Sequence, residues 1–452
     1  MLNNIPPWTC FPFSHRFNPQ RLRRASEAVG TTGRRRSEVS FSDLIRSSVT
    51  HALSLRGSFG HHLRSLSGVS ISDAAAHEQR SELRWEWYEH LFAKALTPLA
   101  RPEAHPGSFY CGMRLLAVDG SQWSLRNTAS TLKALPRHGN QKGAVAAFPK
   151  FMTAVLLELG THQPLAAQCE QAPQGRASAE ITLAKKLLEH LPRQGPSLLM
   201  ADRLYGGAGF IASVLKAAPQ CCEVLIRVAA HKKAKVIEAC GDGSALVRIS
   251  AGMGTSRQTG LVLREIRVRT QRPGETTSVE RRLWTTLLDA SKHPAHELAE
   301  LYTQRWEVEG FFRELKATLG RENLLRASSL PGAQIEFGAL IMAASMMAEE
   351  RLSIAQEQQV PPQRLSIVKI GQTTSELVRV LAYGRGILSE EQEQALIGRC
   401  KQHLGREARI APRRQRSCQR GLRRPASPWP RIKSRRAPDR DWVLSVVPMH
   451  QP

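Results

Sequence analysis

Two short apolar runs, Leu115 to Val118 and Ser197 to Ala201, each end in an aspartate, Asp119 and Asp202. Runs this short, without charge and without strict alternation, read as strands buried on both faces, and such strands need helices covering the sheet. Phe151 to Leu159 is a third run of the same kind. Ser178 to Leu191 and Ala208 to Ala217 carry helical periodicity, and Val224 to Val228 is a further strand. Strands alternating with helices from Arg114 to Val228 predict an α/β domain. With 41% hydrophobic residues the chain can fill at least one substantial core, which excludes a wholly disordered protein.

The flanks differ in character. Residues 229–288 switch to alternating strand-like segments separated by Gly and Pro-Gly turns, a β-rich insertion. Helical periodicity returns from His296 to Leu319 and from Gln334 to Ile354. Residues 37–108 read as a small helical domain, expected to bind DNA, with Ser72-Asp73 as a helix start, and 356–398 as a C-terminal helical region. Residues 1–36, with arginine clusters and no apolar period, predict a basic disordered arm. Residues 399–452 predict a basic disordered tail: fifteen Lys and Arg face Glu407, Asp439 and Asp441, and Pro412, Pro425, Pro428, Pro430 and Pro438 interrupt it. The expected catalytic core is then 109–228 together with 289–355. The longest nearly charge-free apolar stretch, Phe337 to Ala348, is twelve residues, against the roughly 20 of a membrane span. No apolar leader followed by a cleavage site opens the chain, so the expected location is cytoplasmic. Eight cysteines lack Cys-x-x-Cys pairs and nearby His at zinc spacing, which indicates neither a disulfide framework nor a structural zinc.

A net charge of +25 points to a polyanionic partner. Asp119 and Asp202 fall where α/β folds collect their active sites, although an Asp closing a strand also serves as a turn residue. The segment Tyr302-Thr-Gln-Arg305-Trp-Glu-Val-Glu309-Gly-Phe-Phe-Arg-Glu-Leu-Lys316 adds a third acid. At 100° per residue, Tyr302, Arg305, Glu309 and Lys316 share a helical arc of about 60°, beside an apolar stripe of Leu301, Val308, Phe311, Phe312, Leu315 and Leu319. A solvated charged face with an Arg305–Glu309 pair fits the same geometry.

The spacing Tyr-x2-Arg-x3-Glu-x6-Lys, together with Val118-Asp119-Gly-Ser and Ala201-Asp202-Arg203-x-Tyr205, resembles the insertion-sequence-four family of bacterial DDE transposases over residues 40 to 355. Leu204 departs from the Gly that many relatives carry after Asp-Arg. The resemblance implies a ribonuclease-H-like core interrupted by the β-rich insertion, in which Asp119, Asp202 and Glu309 bind two Mg²⁺ or Mn²⁺ ions. It implies that Tyr302, Arg305, Lys316, Arg203 and Tyr205 contact DNA, and that Trp284 stacks a flipped base during cleavage through a hairpin. The implied activity is cut-and-paste transposition. Its partners are double-stranded DNA, as terminal inverted repeats and target, and a second copy of the chain in the synaptic complex; no membrane is implied. A ribonuclease-H-like nuclease that does not join strands, and a silent transposase-derived DNA-binding protein, are the competing readings.

Overall fold

The computed structural model describes residues 39–54, 57–135, 137, 146–171, 176–192, 195–250, 260–271, 278–318, 324–384, 386–410, 421–422, 431–432 and 443–446. In chain order the elements are α1 (Phe41–Leu53), α2 (Phe59–Ser67), α3 (Asp73–Ser81), α4 (Trp85–Ala95), β1 (Phe109–Tyr110), β2 (Met113–Ser124), α5 (Ala129–Ala134), β3 (Lys150–Glu158), β4 (Gln163–Cys169) and α6 (Arg176–Leu187). There follow β5 (Ser197–Ala201), α7 (Ala208–Ala217), β6 (Cys222–Val228), β7 (Lys235–Ala239), β8 (Ala245–Ile249), β9 (Leu261–Gln271) and β10 (Ser278–Thr285). The chain then forms α8 (Ala295–Leu301), a 3₁₀ turn (Tyr302–Arg305), α9 (Trp306–Thr318), α10 (Leu330–Glu357), α11 (Ile367–Tyr383) and α12 (Glu390–Glu407). Three short strands close it, β11 (Gly421–Leu422), β12 (Arg431–Ile432) and β13 (Val443–Val446). The predicted arm at 1–36 and Leu319 lie outside the described residues.

Serine starts many of these helices for one reason: its hydroxyl accepts an N–H that the first turn leaves without an intrahelical partner. Ser40, Ser58, Ser72, Ser329, Ser366 and Ser389 all cap in this way, and Ser40 and Ser389 complete reciprocal capping boxes.

Contacts divide the chain into two units. The first comprises Met1–Leu198, Ala217–Cys222 and Trp306–Arg409. Here β3 lies antiparallel between β2 and β4, with Asp119 opposite Val155 and Thr153 opposite Cys169. Arg114 N donates to Pro196 O and Ser197 N to Cys221 O, which ties the start of β5 into this unit. The N-terminal helices do not stand apart as a separate domain. α1 and α4 pack on α10, where Trp85 stacks on Phe337, and Trp123 and Phe151 meet the same ring. A Cβ at Gly338 would lie 2.5 Å from the Tyr88 ring, so glycine permits this approach. α10 is long and apolar enough to cross a membrane by length and composition, beyond the twelve-residue run seen in the sequence. Of its most apolar window 89% is buried inside the protein, as befits a core helix.

The second unit comprises Leu199–Lys216, Glu223–Arg305 and Ile410–Pro452. Its strands run β6-β10-β9-β8-β7, with each neighbouring pair antiparallel. Fully buried Arg264 pins the interior: it donates to Ser244 Oγ (2.7 Å) and His293 O (2.6 Å) and pairs with Asp242. The Asp242 carboxylate also accepts Ala295 N at the start of α8 (2.7 Å).

The structure corrects three expectations. β2 continues five residues past Asp119 because Gly120 to Ser124 pair with Ala154 to Lys150, so that Asp is inside a strand. The helix expected from His296 to Leu319 is broken by the 3₁₀ turn at 302–305. The tail does not begin as disordered chain at 399, since α12 runs to Glu407, with Leu404 and Ala408 packed against Ile354, Leu365 and Ile370. Further on, β13 pairs with β9.

Candidate active site

In the first unit Asp119 projects from β2 and its Oδ1 accepts the backbone N–H of Gly120 (2.9 Å). α9 packs against β2 and carries Glu309 and Lys316, seven residues apart and so on one side of the helix. The Lys316 ammonium lies 5.5 Å over the Trp123 ring. Burial, followed by the like charge of Lys150, pushes the Lys316 pKa down. Two cations thus meet near the end of the strand that bears Asp119.

The opposite side of α9 is anchored by a group that sequence reasoning missed. His162, on the β3–β4 turn, places Nε2 2.8 Å from Glu307 and Nδ1 2.9 Å from Glu314. Arg351 of α10 donates to Glu314 (3.1 Å) and to Thr161 O (3.0 Å). Burial and the Arg351 charge oppose protonation of His162, but the two carboxylates outweigh them and raise its pKa. Glu180 of α6 was also passed over: its side chain occupies the space that a Cβ at Gly120 would need, at 2.5 Å.

In the second unit Asp202 follows β5, and its Oδ1 accepts Leu204 N (2.7 Å), closing a turn that tolerates Leu in place of Gly. Arg203 is exposed. Tyr205 is buried, its ring 5.0 Å from Phe210. Tyr302 Oη donates to Ala201 O (3.0 Å), which sets the phenol beside the residue preceding Asp202. Burial pushes the Tyr302 pKa up to about 12; the Arg305 charge acts against that rise and the Asp202 charge adds to it. Arg305 is buried, with its guanidinium 6.0 Å from the Tyr302 ring. Trp284 of β10 is only 2% exposed and its Nε1 donates to Glu265 (2.9 Å). Arg282 and Arg267 donate to the same carboxylate, and with Trp284 they overcome its burial and hold the Glu265 pKa below the usual range.

The structure thus brings Asp202, Tyr302 and Arg305 together in one unit, and sets Asp119, Glu309 and Lys316 on packed elements of the other. Tyr205 and Trp284 are interior rings as they stand. Among the described residues no group of three or more His, Cys, Asp and Glu is arranged to hold a metal ion. The chemistry of the predicted donor set, three carboxylates without thiolate or imidazole, fits a hard cation such as Mg²⁺ or Mn²⁺.

The model of the transposase DDE domain family matches residues 110–346, a span that contains all three predicted acids and the Tyr-Arg-Glu-Lys signature. The chain is 25% identical over 290 residues to the transposase InsG for insertion sequence element IS4 of Escherichia coli (strain K12). That alignment covers 63% of this chain and 62% of InsG, so the chain matches less than two thirds of that relative's length. A piggyBac transposase synaptic complex with hairpin DNA, solved by cryo-EM, is similar over 88% of this chain and 85% of that one, with a TM-score of 0.46 and 12% identity.

Proposed function

The chain belongs to the transposase DDE-domain family, and from that premise we propose that it binds the terminal inverted repeats of its own mobile element, cuts at their ends and joins the 3′-hydroxyls to target DNA. The observation that carries the proposal is that Asp119, Asp202, Glu309 and the Tyr-Arg-Glu-Lys spacing all fall inside the span that the family model matches.

In this reading Asp119, Asp202 and Glu309 hold two divalent ions. Bound there, such ions activate an attacking water or 3′-hydroxyl and stabilise the leaving oxygen of an in-line phosphodiester displacement. Lys316 supplies positive charge beside Asp119's strand, where the phosphate chain must pass. Exposed Arg203 is placed to reach the backbone next to Asp202. Tyr302 and Arg305 act from within the fold, since the phenol's hydrogen bond to Ala201 fixes the end of the strand that leads into Asp202. The core is ribonuclease-H-like, which the antiparallel order β4-β3-β2 of the first unit supports. Trp284 can receive a flipped base only after its bond to Glu265 opens, which makes the hairpin route conditional on movement of β10. Joining two ends in one complex calls for at least two copies of the chain, and the site of action is the bacterial cytoplasm.

The test is incubation of the purified protein with labelled DNA carrying the flanking inverted repeat, in Mg²⁺, Mn²⁺ or EDTA, with nicked, hairpin and joined products resolved. Metal-dependent cuts at the repeat boundary with joined products are expected, and Glu309→Gln should abolish both while end binding persists. Cuts without joining would identify a nuclease. Binding without cleavage by a folded protein would identify a silent DNA-binding descendant.

A further inference from the structure

α9 is α-helical from Trp306 to Thr318, so the direction of each of its side chains follows from a rotation of about 100° per residue. With Glu309 set at 0°, Lys316 falls at about −20° and Arg313 at about +40°, while Val308, Phe311, Phe312 and Leu315 lie between about −60° and −160°. Arg313 therefore shares the arc of Glu309 and Lys316, one turn from each, although it stands outside the Tyr-Arg-Glu-Lys signature. All of these residues belong to the first unit.

Burial falls across this arc in the order the angles dictate. Val308, Phe311, Phe312 and Leu315 are buried, Lys316 and Glu309 are half-buried, and Arg313 is exposed. Lys316 lies over Trp123, which is four residues beyond Asp119 and so on the same face of β2. The far side of α9, at about 140–160° by the same arithmetic, is held by His162 through Glu307 and Glu314. An apolar stripe in the core and an anchored far side fix the rotation of the helix, which leaves Arg313 at the open margin of the Glu309 arc.

Glu309 stands four residues before Arg313, the orientation in which an acid and a base pair best on a helix. The Arg313 guanidinium nevertheless enters no ion pair or hydrogen bond among the described residues. A permanently charged, planar group with its donors in a fixed fork matches two oxygens of one phosphate, which also brings the negative charge that Arg313 lacks. We propose that Arg313 is a further DNA-binding residue, whose guanidinium holds a backbone phosphate of double-stranded DNA beside the one that Lys316 meets. This rests on the transposase reading.

The test uses the full chain in EDTA with two fluorescent duplexes, one carrying the flanking inverted repeat and one of scrambled sequence. Binding is followed by anisotropy from about 50 to 200 mM KCl. Arg313→Gln should weaken binding to both duplexes by the same factor, because a phosphate contact does not depend on base identity. It should also reduce the slope of log K against log [salt] by about 1, so that the advantage of wild type shrinks about three- to fourfold over that range. Arg313→Lys keeps the charge and should keep the slope, while binding more weakly for want of the fork. Lys185→Gln, a control at an exposed position on α6 of the same unit, should match wild type. A wild-type slope in Arg313→Gln, folded by circular dichroism, overturns the assignment while DNA binding stands. So does an equal fall in the control, or a loss confined to the repeat duplex. Wild-type protein that binds neither duplex would overturn the transposase reading and this contact with it.

Discussion

Replacing His162 by asparagine tests how α9 is held. His162 has a φ of 58°, a left-handed conformation that Asn also accepts, so the substitution adds little backbone strain. Asn is too short to span Glu307 and Glu314, and both hydrogen bonds at 2.8 and 2.9 Å are lost. A hydrogen bond to a charged group contributes about 1.5–3 kcal/mol. The Glu307 side chain is 42% exposed and can turn to water, so its bond counts well below that range, whereas Glu314 is 25% exposed and keeps Arg351. The expected loss is about 2–4 kcal/mol, or a fall in Tm of about 3–6 °C for a unit of about 300 residues.

The loss depends on pH in a defined sense. The folded-state pKa of His162 is raised, so its contribution is complete below the ordinary His value of about 6.5 and disappears as pH rises through the folded value. Glu307 is lowered chiefly by its bond to His162. Glu314 is lowered by Arg351 and His162 against the effect of burial. Their contributions are present above the ordinary Glu value of about 4.3 and disappear as pH falls through the lowered values. The gap in Tm between wild type and His162→Asn should therefore be widest between about pH 5 and 6.5 and narrower at pH 9. Differential scanning calorimetry at pH 6 and 9 measures it. An equal gap at both values, or none at pH 6, would refute a charged His162 bridging two carboxylates.

Trp284→Ala should destabilise the protein by about 3–5 kcal/mol in denaturant unfolding, because it empties a buried site and strips a donor from Glu265; a loss below 1 kcal/mol would mean that the ring is not part of the core. Tyr302→Phe keeps the ring and removes only the donor to Ala201 O, so a loss of about 1 kcal/mol is expected, with a reduced single-turnover cleavage rate and unchanged DNA affinity. An equal fall in affinity would assign the phenol a direct contact with DNA.

The candidate site residues could be proposed from the sequence because their types and local spacing are what metal-dependent phosphodiester chemistry demands. Two aspartates closing apolar runs and a fixed Tyr-Arg-Glu-Lys spacing can be read without knowing any distant contact. The alternation of strands and helices from Arg114 to Val228 was legible for the same reason: burial on a sheet or a helix imposes its own period.

Pairing, packing and charge compensation were decided by the tertiary structure. Gly120-Ser-Gln has the look of a turn, yet hydrogen bonding to β3 extends β2 through it, so strand pairing overrides local preference. The 3₁₀ turn at 302–305 differs from an α-helix by one residue of hydrogen-bond offset, which an apolar period cannot register. His162 meets Glu307 across 145 positions, and Trp284 meets Glu265 across adjacent strands. Such partners are neighbours only once the backbone has closed on itself. Sequence alone therefore nominates candidate groups, while the fold determines which of them are exposed, which are locked in the interior, and what holds the helix of Glu309 in place.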